Sequence, residues 1–416
     1  MAVSKLAVIN RPLSAPGAVH ILNPAAPDYP LIYLPLDGGH FVSGGTTQIT
    51  NRYGQHAIFV RNSKRTLLNG TEVSTGVPGW EADGLWIEEG TTNLLTVNQA
   101  SAETDLSGLI PFGDITLQRT SEKAWHGSYS IKVTGNGAGW DGVSTTSISV
   151  APNTTYTLSA YFLADSSTWV FLRAEERDSA DALILGTNTP LVSGNNAWQR
   201  ITLTITTGAS TAKLRLAVSM SNSTSTFYAD GLQIEQKSYP TSWQDPAVAR
   251  AAESSEVRLP YLVPLDEGTI LVKMVLGDFR IARNILNCLA SYGRGLEFYS
   301  RTTAPFAIFR FGVAGTFTLS VNGPSSLSTG VHVFGATWSA SLGIAKMFVD
   351  TEGPFVGRGT IPLTAPTSIV NLSSLSWNVT ARPNTRKSLV VWLRRMASDY
   401  EMKSWAEAIL QGRQIF

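Results

Sequence analysis

From residue 155 to 235 the chain repeatedly sets an apolar side chain at every second position, and this alternation constrains its fold more tightly than anything else in it. Thr157-Leu158-Ser159-Ala160-Tyr161-Phe162-Leu163 and Gln199-Arg200-Ile201-Thr202-Leu203-Thr204-Ile205 follow a period of two. That period turns successive side chains to opposite faces of a pleated strand. Strands are predicted over 114–119, 129–134, 144–150, 156–164, 169–175, 198–206, 212–219 and 227–234, with turn residues between them and no helical period. Such a run closes as two antiparallel sheets packed face to face, a sandwich of jelly-roll type.

The last of these strands runs into Tyr239-Pro240-Thr241-Ser242-Trp243. Pro240 cannot donate to a sheet ladder, so the strand is expected to stop before it. The polar, Ala-rich stretch 244–256 shows no β pattern and reads as a linker. Upstream, Gly84-Leu85-Trp86-Ile87-Glu88-Glu89 partly echoes Gly231-Leu232-Gln233-Ile234-Glu235-Gln236, and the two strings bracket about one domain's length. The chain therefore divides into an N-terminal β region for assembly (1–83), a first sandwich (84–243), a linker (244–256) and a second sandwich (257–416). The N-terminal part has turn signals at Asp37-Gly38-Gly39 and Asn69-Gly70, strand candidates at 18–22, 31–36, 55–61 and 65–68, and is expected to lean on a neighbouring subunit. In the last part strands are predicted over 268–276, 283–290, 296–300, 306–313, 316–321, 332–339, 345–350 and 388–395. There the period changes: Ser398-Asp399-Tyr400-Glu401 is a capping box that opens a helix to about residue 411, with Trp405 and Ile409 on one face. The predicted class is all-β, two antiparallel β-sandwiches of jelly-roll type after a small turn-rich N-terminal β region, with one short C-terminal helix.

Charged residues make up 15% of the chain and apolar residues 43%, against about 25% charged in ordinary soluble domains. Uncharged polar residues and 36 glycines fill the difference, a composition suited to twisted sheets with polar outer faces. A formal net charge of +1 argues against a nucleic-acid partner. The single cysteine, Cys288, allows no disulfide within one chain and reads as a small buried hydrophobe. Residues 1–22 have neither the pattern of a signal peptide nor that of a membrane span, so synthesis in the cytoplasm and no membrane insertion are expected. The carboxylate pairs Glu88-Glu89, Glu175-Glu176 and Asp266-Glu267 point to opposite strand faces, cannot act as facing acid and base, and are expected to be solvated. His20, His40, His56, His126 and His332 show no metal spacing, and no Gly-x-Ser-x-Gly elbow or phosphate loop occurs. No catalytic residues are expected.

Several strings carry a resemblance. Asp83-Gly84-Leu85-Trp86-Ile87-Glu88-Glu89-Gly90-Thr91-Thr92-Asn93-Leu94-Leu95, His126-Gly127-Ser128-Tyr129-Ser130-Ile131-Lys132-Val133 and Val150-Ala151-Pro152-Asn153-Thr154-Thr155-Tyr156 are similar to landmarks of carbohydrate-binding-module-like jelly rolls in bacteriophage virion (tail or appendage) proteins. Trp198-Gln199-Arg200, Ala229-Asp230-Gly231-Leu232-Gln233-Ile234-Glu235 and Tyr239-Pro240-Thr241-Ser242-Trp243 continue the match. Thr337-Trp338, Met347-Phe348-Val349-Asp350 and 391–401 resemble successive landmarks of a laminin-G/concanavalin-A-like sandwich, with the departure Asp350-Thr351-Glu352-Gly353 where that family has Asp-Gly directly.

The resemblance implies a non-enzymatic virion protein of the tail fibre, tip or appendage, made in the host cytoplasm. Its implied partners are other virion proteins, further copies of itself with three-fold symmetry, and a host surface glycan. A capsid or tail decoration protein is the alternative, and an accessory binding region of a polysaccharide-processing enzyme a second. The resemblance further implies a structural calcium held near the last strand of the first sandwich by Asp230, with Glu103 and the carbonyls of Gly127 and Ser128; a turn-capping role for Asp230 is the competing reading. Glycan binding needs aromatic rings beside hydrogen-bonding groups. Trp140, next to Asp141 in the Gly-rich loop 135–142, is the first candidate and Trp169 the second, whereas Trp198, Trp338 and Trp392 fall in strand patterns and read as core.

Overall fold

The computed structural model describes residues 30–413 apart from 36–40, 44–47, 52–55, 61–62, 76–78, 82–83, 138–139, 222–223, 251–253, 259–265, 277–282, 292–293, 301–306, 314–315, 363–368, 372–384 and 394. The strand candidate at 18–22 lies outside the described residues. The chain is all-β, as its alternation predicts, and it gathers into two compact units. One draws on 1–61, 76–89 and 252–416, the other on 62–75 and 90–251.

The second of these units is the sandwich that the period-two pattern calls for. One sheet runs in the order Ile115–Thr120, Ser130–Gly135, Thr226–Glu235, Thr155–Ala164, Gln199–Thr206. The other runs Leu183–Asn188, Trp169–Arg177, Lys213–Met220, Asp141–Thr145, Leu109–Phe112, with Ile148–Ser149 and Val192–Ser193 as short side pairings. Ile131, Leu158, Ala160 and Phe162 from the first sheet meet Val143, Val170, Leu172, Leu216 and Val218 from the second in one core. Each of these nine side chains is fully buried, and together they supply the apolar burial that holds the layers face to face. The strands at Leu109–Phe112 and Leu183–Asn188 were not expected, because neither alternates. A short helix, Val97–Ser101, also escaped the sequence reading; Thr96 and Gln99 cap it reciprocally.

The exit string folds back on the last strand as a clasp. The buried Glu235 carboxylate accepts the Thr91 hydroxyl (2.6 Å), the Thr241 hydroxyl (2.7 Å), the Thr241 N–H (2.8 Å) and the Gln233 amide (2.9 Å). Trp243 donates its indole N–H to the Leu232 carbonyl at 3.2 Å. The hairpin of Arg65–Thr66 and Glu72–Val73 docks on the same unit, where the Trp125 indole donates to the Leu68 carbonyl at 3.0 Å. Gly70 sits at φ +84° against the Trp125 carbonyl, leaving no room for a Cβ.

The other unit pairs segments far apart in sequence. Its first sheet orders Glu352–Arg358, Ile344–Val349, Gly330–Ser339, Glu267–Leu276, Thr385–Leu393, Gly84–Ile87 and Gly79–Glu81, and Pro30–Pro35 also pairs with Thr385–Leu393. Its second sheet orders Phe41–Ser43, Gln48–Asn51, His56–Val60, Ser254–Arg258, Ile369–Asn371, Arg283–Ser291, Arg294–Ser300, Ala307–Val313 and Thr316–Asn322. Ile270, Val272, Phe298, Phe309, Phe334, Trp338 and Trp392 form its core. On the far side of the first sheet Leu271, Val333 and Val391 pack under the helix Asp399–Leu410, which contributes Met402, Trp405 and Ile409. The Ser398–Glu401 capping box forms as read.

Three boundaries differ from the sequence reading. The described strands of residues 30–60 join the unit of residues 252–416 instead of forming a region of their own, pairing with Thr385–Leu393 and Ser254–Arg258. The string at 84–87 belongs to the same unit as 385–393, so the first Gly-Leu-x-Ile-Glu string lies outside the unit that the two strings bracket. The end of the supposed linker is a strand, Ser254–Arg258, paired with His56–Val60. Strand partners are chosen by open sheet edges in space, and alternation carries no signal for which edge a strand joins.

Candidate functional site

The strand Trp169–Arg177 sorts its side chains by parity. Val170, Leu172 and Ala174 are fully buried in the sandwich core, so Trp169, Phe171, Arg173, Glu175 and Arg177 share the outer face. Trp169 is 45% exposed there. Trp140 lies on this face as well: its ring meets Phe171 edge-on at 4.9 Å and 67° and remains 56% exposed. Phe171 itself is only 2% exposed, so Trp140 has a firm seat and an open ring face.

Beside the aromatic rings comes a row of charge. Arg173 donates Nε to Glu175 at 3.1 Å and Nη1 to the Asn188 side-chain oxygen at 3.1 Å, and its guanidinium lies 5.9 Å from the Phe112 ring centre. Arg177 donates Nη2 to the other Glu175 oxygen at 2.6 Å and Nη1 to the Asp181 carbonyl at 2.7 Å. Burial of Glu175 opposes its ionisation, but the bonds from Arg177 and Arg173 outweigh it and hold the carboxyl below its usual value. Glu175 and Glu176 were expected to be solvated, yet each is 4% exposed. The reason is pairing: Glu175 sits between two guanidiniums, and Glu176, on the opposite face, accepts the Gly208 N–H at 2.7 Å and the Thr211 hydroxyl at 2.6 Å. The signal was present in Arg173-Ala174-Glu175-Glu176-Arg177, whose i, i+2 spacing places both cations and one carboxylate together on a strand.

Of the sequence candidates, Trp140 and Trp169 share this platform. Asp141 does not: it is 1% exposed and its Oδ1 accepts the Asp114 N–H at 3.1 Å, bracing the turn at Gly113. Phe171, Phe112 and Arg173 were missed, because a buried Phe in a strand looks like core whichever face it occupies.

Asp230, Glu103, Gly127 and Ser128 also come together. Asp230 is fully buried; its Oδ2 accepts the N–H groups of Trp125 (2.9 Å) and His126 (3.1 Å), and its Oδ1 that of Gly231 (2.7 Å). Glu103 accepts the N–H of Ser128 and of Tyr129, each at 3.2 Å, and Gly127 packs against its carboxylate at φ +67°. Ser128 thus presents its N–H to Glu103. Burial pushes the Asp230 carboxyl up to about 8, the three N–H donors oppose this, and the Glu103 charge adds to it. Among the described residues no group of three or more His, Cys, Asp or Glu is placed to hold a metal ion. The carboxylate oxygens here are met by backbone N–H groups, three on Asp230 and those of Ser128 and Tyr129 on Glu103.

Residues 96–225 match the family described as a carbohydrate binding domain. Among solved structures, the chain is similar to the CBM22-1 xylan-binding domain of Paenibacillus barcinonensis Xyn10C, at 19% identity over 36% of this chain and 99% of that one, with a TM-score of 0.31. It is also similar to a family 16 carbohydrate binding module (21% identity, 34% and 99% covered, TM-score 0.27). A third is the enzymatically active domain of bacteriophage CBA120 tailspike protein 4 (10% identity, 34% and 21% covered, TM-score 0.29). No curated protein matches the chain.

Proposed function

We propose that the outer face carrying Trp140, Trp169, Phe171 and Arg173 binds a polysaccharide, and that the chain is a non-enzymatic structural protein of a phage particle. The observation that carries the first part is Trp140, more than half exposed yet seated on Phe171 beside a row of hydrogen-bonding groups. A sugar's C–H face packs on such a ring while its hydroxyls meet amides, carboxylates and guanidiniums. The match of 96–225 to a carbohydrate binding domain supports it. The place in a virion rests on the sequence strings of both sandwiches; a receptor-binding tail component, assembled with other virion proteins as a trimer, is the form proposed.

A second reading, decoration of the particle, has its own observation. Leu183, Ile184 and Leu185 are 50%, 46% and 53% exposed on the strand that ends its sheet, and such an uncovered apolar edge suits contact with another protein subunit. The accessory region of a polysaccharide-processing enzyme is a third reading, which the same family match suits. Binding of labelled protein to intact host cells, and to virions stripped of it, separates them. Saturable binding to cells competed by envelope polysaccharide supports the receptor role, attachment to virions alone supports decoration, and attachment to neither sinks the virion reading.

Trp140→Ala is expected to weaken glycan binding by about 2 kcal/mol, roughly 30-fold, with stability changed by no more than about 0.5 kcal/mol. Isothermal titration beside thermal melting checks this; a large melting loss with unchanged binding would make Trp140 a packing residue. A structural calcium at Asp230 and Glu103 is proposed too. In that case chelator lowers the melting temperature of the wild-type chain, and Asp230→Ala costs more in calcium than in chelator. Equal cost in both conditions removes the ion.

A further inference from the structure

The charged row on the platform is not balanced one to one. Glu175 serves two guanidiniums, those of Arg173 and Arg177. Across the ladder Arg215 stands opposite Glu175 and Lys213 opposite Arg177, on the same outer face by strand parity. Arg215 is paired with the Asp181 carboxylate and donates Nε to the Ser147 hydroxyl at 2.8 Å. Asp178, in the hairpin beyond the strand, accepts the Ala182 N–H at 2.9 Å, and Glu176 lies on the opposite face. The strand face thus sets Arg173, Arg177, Lys213 and Arg215 against Glu175 and Asp181. Ser147 and Arg215 keep the Asp181 carboxyl below its usual value, as Arg177 and Arg173 do for Glu175, so proton uptake by these acids does not alter the balance at neutral pH.

We infer that this face selects acidic polysaccharides, with a sugar carboxylate received at Arg173 and Arg177 while a neighbouring ring rests on Trp140. The inference rests on the platform reading above and adds the charge class of the ligand. Arg177 already bonds through all three nitrogens, Nε and Nη2 to Glu175 and Nη1 to the Asp181 carbonyl, and Arg173 through Nε and Nη1, so the sugar carboxylate meets the remaining N–H groups of Arg173 in charge-assisted bonds while Arg177 adds its charge. The Arg173 and Arg177 side chains are 18% and 15% exposed, so water screens them less than surface cations. Arg173 is also held in place: its guanidinium lies against Gly186, where an added Cβ would overlap it, and Asn188 and Glu175 fix two of its nitrogens. Preorganised donors lose little freedom on binding.

The test uses the full chain and two acidic polymers, polygalacturonate and hyaluronan, each beside the same polymer with its carboxyl groups reduced to alcohols, and a neutral xylan. Wild-type protein is expected to bind an acidic form at least about tenfold tighter than its reduced form, with the preference shrinking as salt rises. Arg173→Gln is expected to erase that preference while Trp140→Ala weakens both forms alike; matching melting temperatures exclude misfolding. Equal binding of acidic and reduced forms, or binding of xylan alone, overturns the inference and leaves the platform standing. Binding of none of the polymers overturns both.

Discussion

Glu235→Ala lowers the stability of the unit that contains residue 235 by about 3–5 kcal/mol, the summed cost of leaving two or three buried donors without their acceptor. The carboxylate is fully buried and receives four donors, from Thr91, Gln233 and twice from Thr241. Alanine removes the shared acceptor: the Thr241 hydroxyl keeps only the Ser242 carbonyl at 3.2 Å and the Gln233 amide only the Thr241 hydroxyl at 3.5 Å, and each buried group left unsatisfied carries a penalty of about 1–3 kcal/mol. It also unfastens both ends of the sandwich at once, since Thr91 lies at its entry and Thr241 at its exit. Glu235→Gln keeps one acceptor oxygen and is expected to lose less than half as much. Calorimetry of the full chain reads both variants. A loss under about 1 kcal/mol for the alanine variant would mean that the clasp follows the fold without supporting it.

Trp338→Ala in the other unit is expected to cost about 3–5 kcal/mol, the range for truncating a buried aromatic. Trp338 is fully buried and meets Trp392 edge-on at 5.7 Å, Phe311 at 5.5 Å and Phe309 at 5.6 Å. Gly268 opposes the indole directly, where an added Cβ would overlap the ring. The neighbours are rings on paired strands and cannot collapse into the space, so the cavity remains open. Trp338→Phe fills part of it and is expected to lose about half as much. Chemical denaturation followed by circular dichroism measures the difference; near-equal midpoints for wild type and the alanine variant would refute a central role for the ring.

Trp338 marks what could be read in advance, and Glu235 what could not. Trp338 and Trp392 stand inside alternating strands, and both prove to be core. Ser398 and Glu401 are three residues apart and cap their helix, because a local spacing suffices for a local bond. Trp140 stood out as a tryptophan in a loop of glycines, and its ring is 56% exposed. Arg173 went unremarked and Glu175 was read as solvated, although their spacing was in plain view, since charge on a strand signals a solvated face unless the opposing strand is known. Arg215 lies forty residues away, and only the ladder sets it across from Glu175.

Alternation, turn residues and one capping box determine from the sequence alone that this chain is all-β, that its 155–235 segment is a two-layer sandwich, and that a single turn-bounded helix follows the last strands. Those features depend on neighbours within a few residues, where backbone geometry leaves few choices. Tertiary structure alone decided that Gly84–Ile87 and Pro30–Pro35 join Thr385–Leu393, and that Trp140, Phe171 and the Arg173–Glu175–Arg177 row form one face. Long-range pairing is set by which sheet edges remain open and which apolar faces need cover, quantities that exist only after the chain has folded.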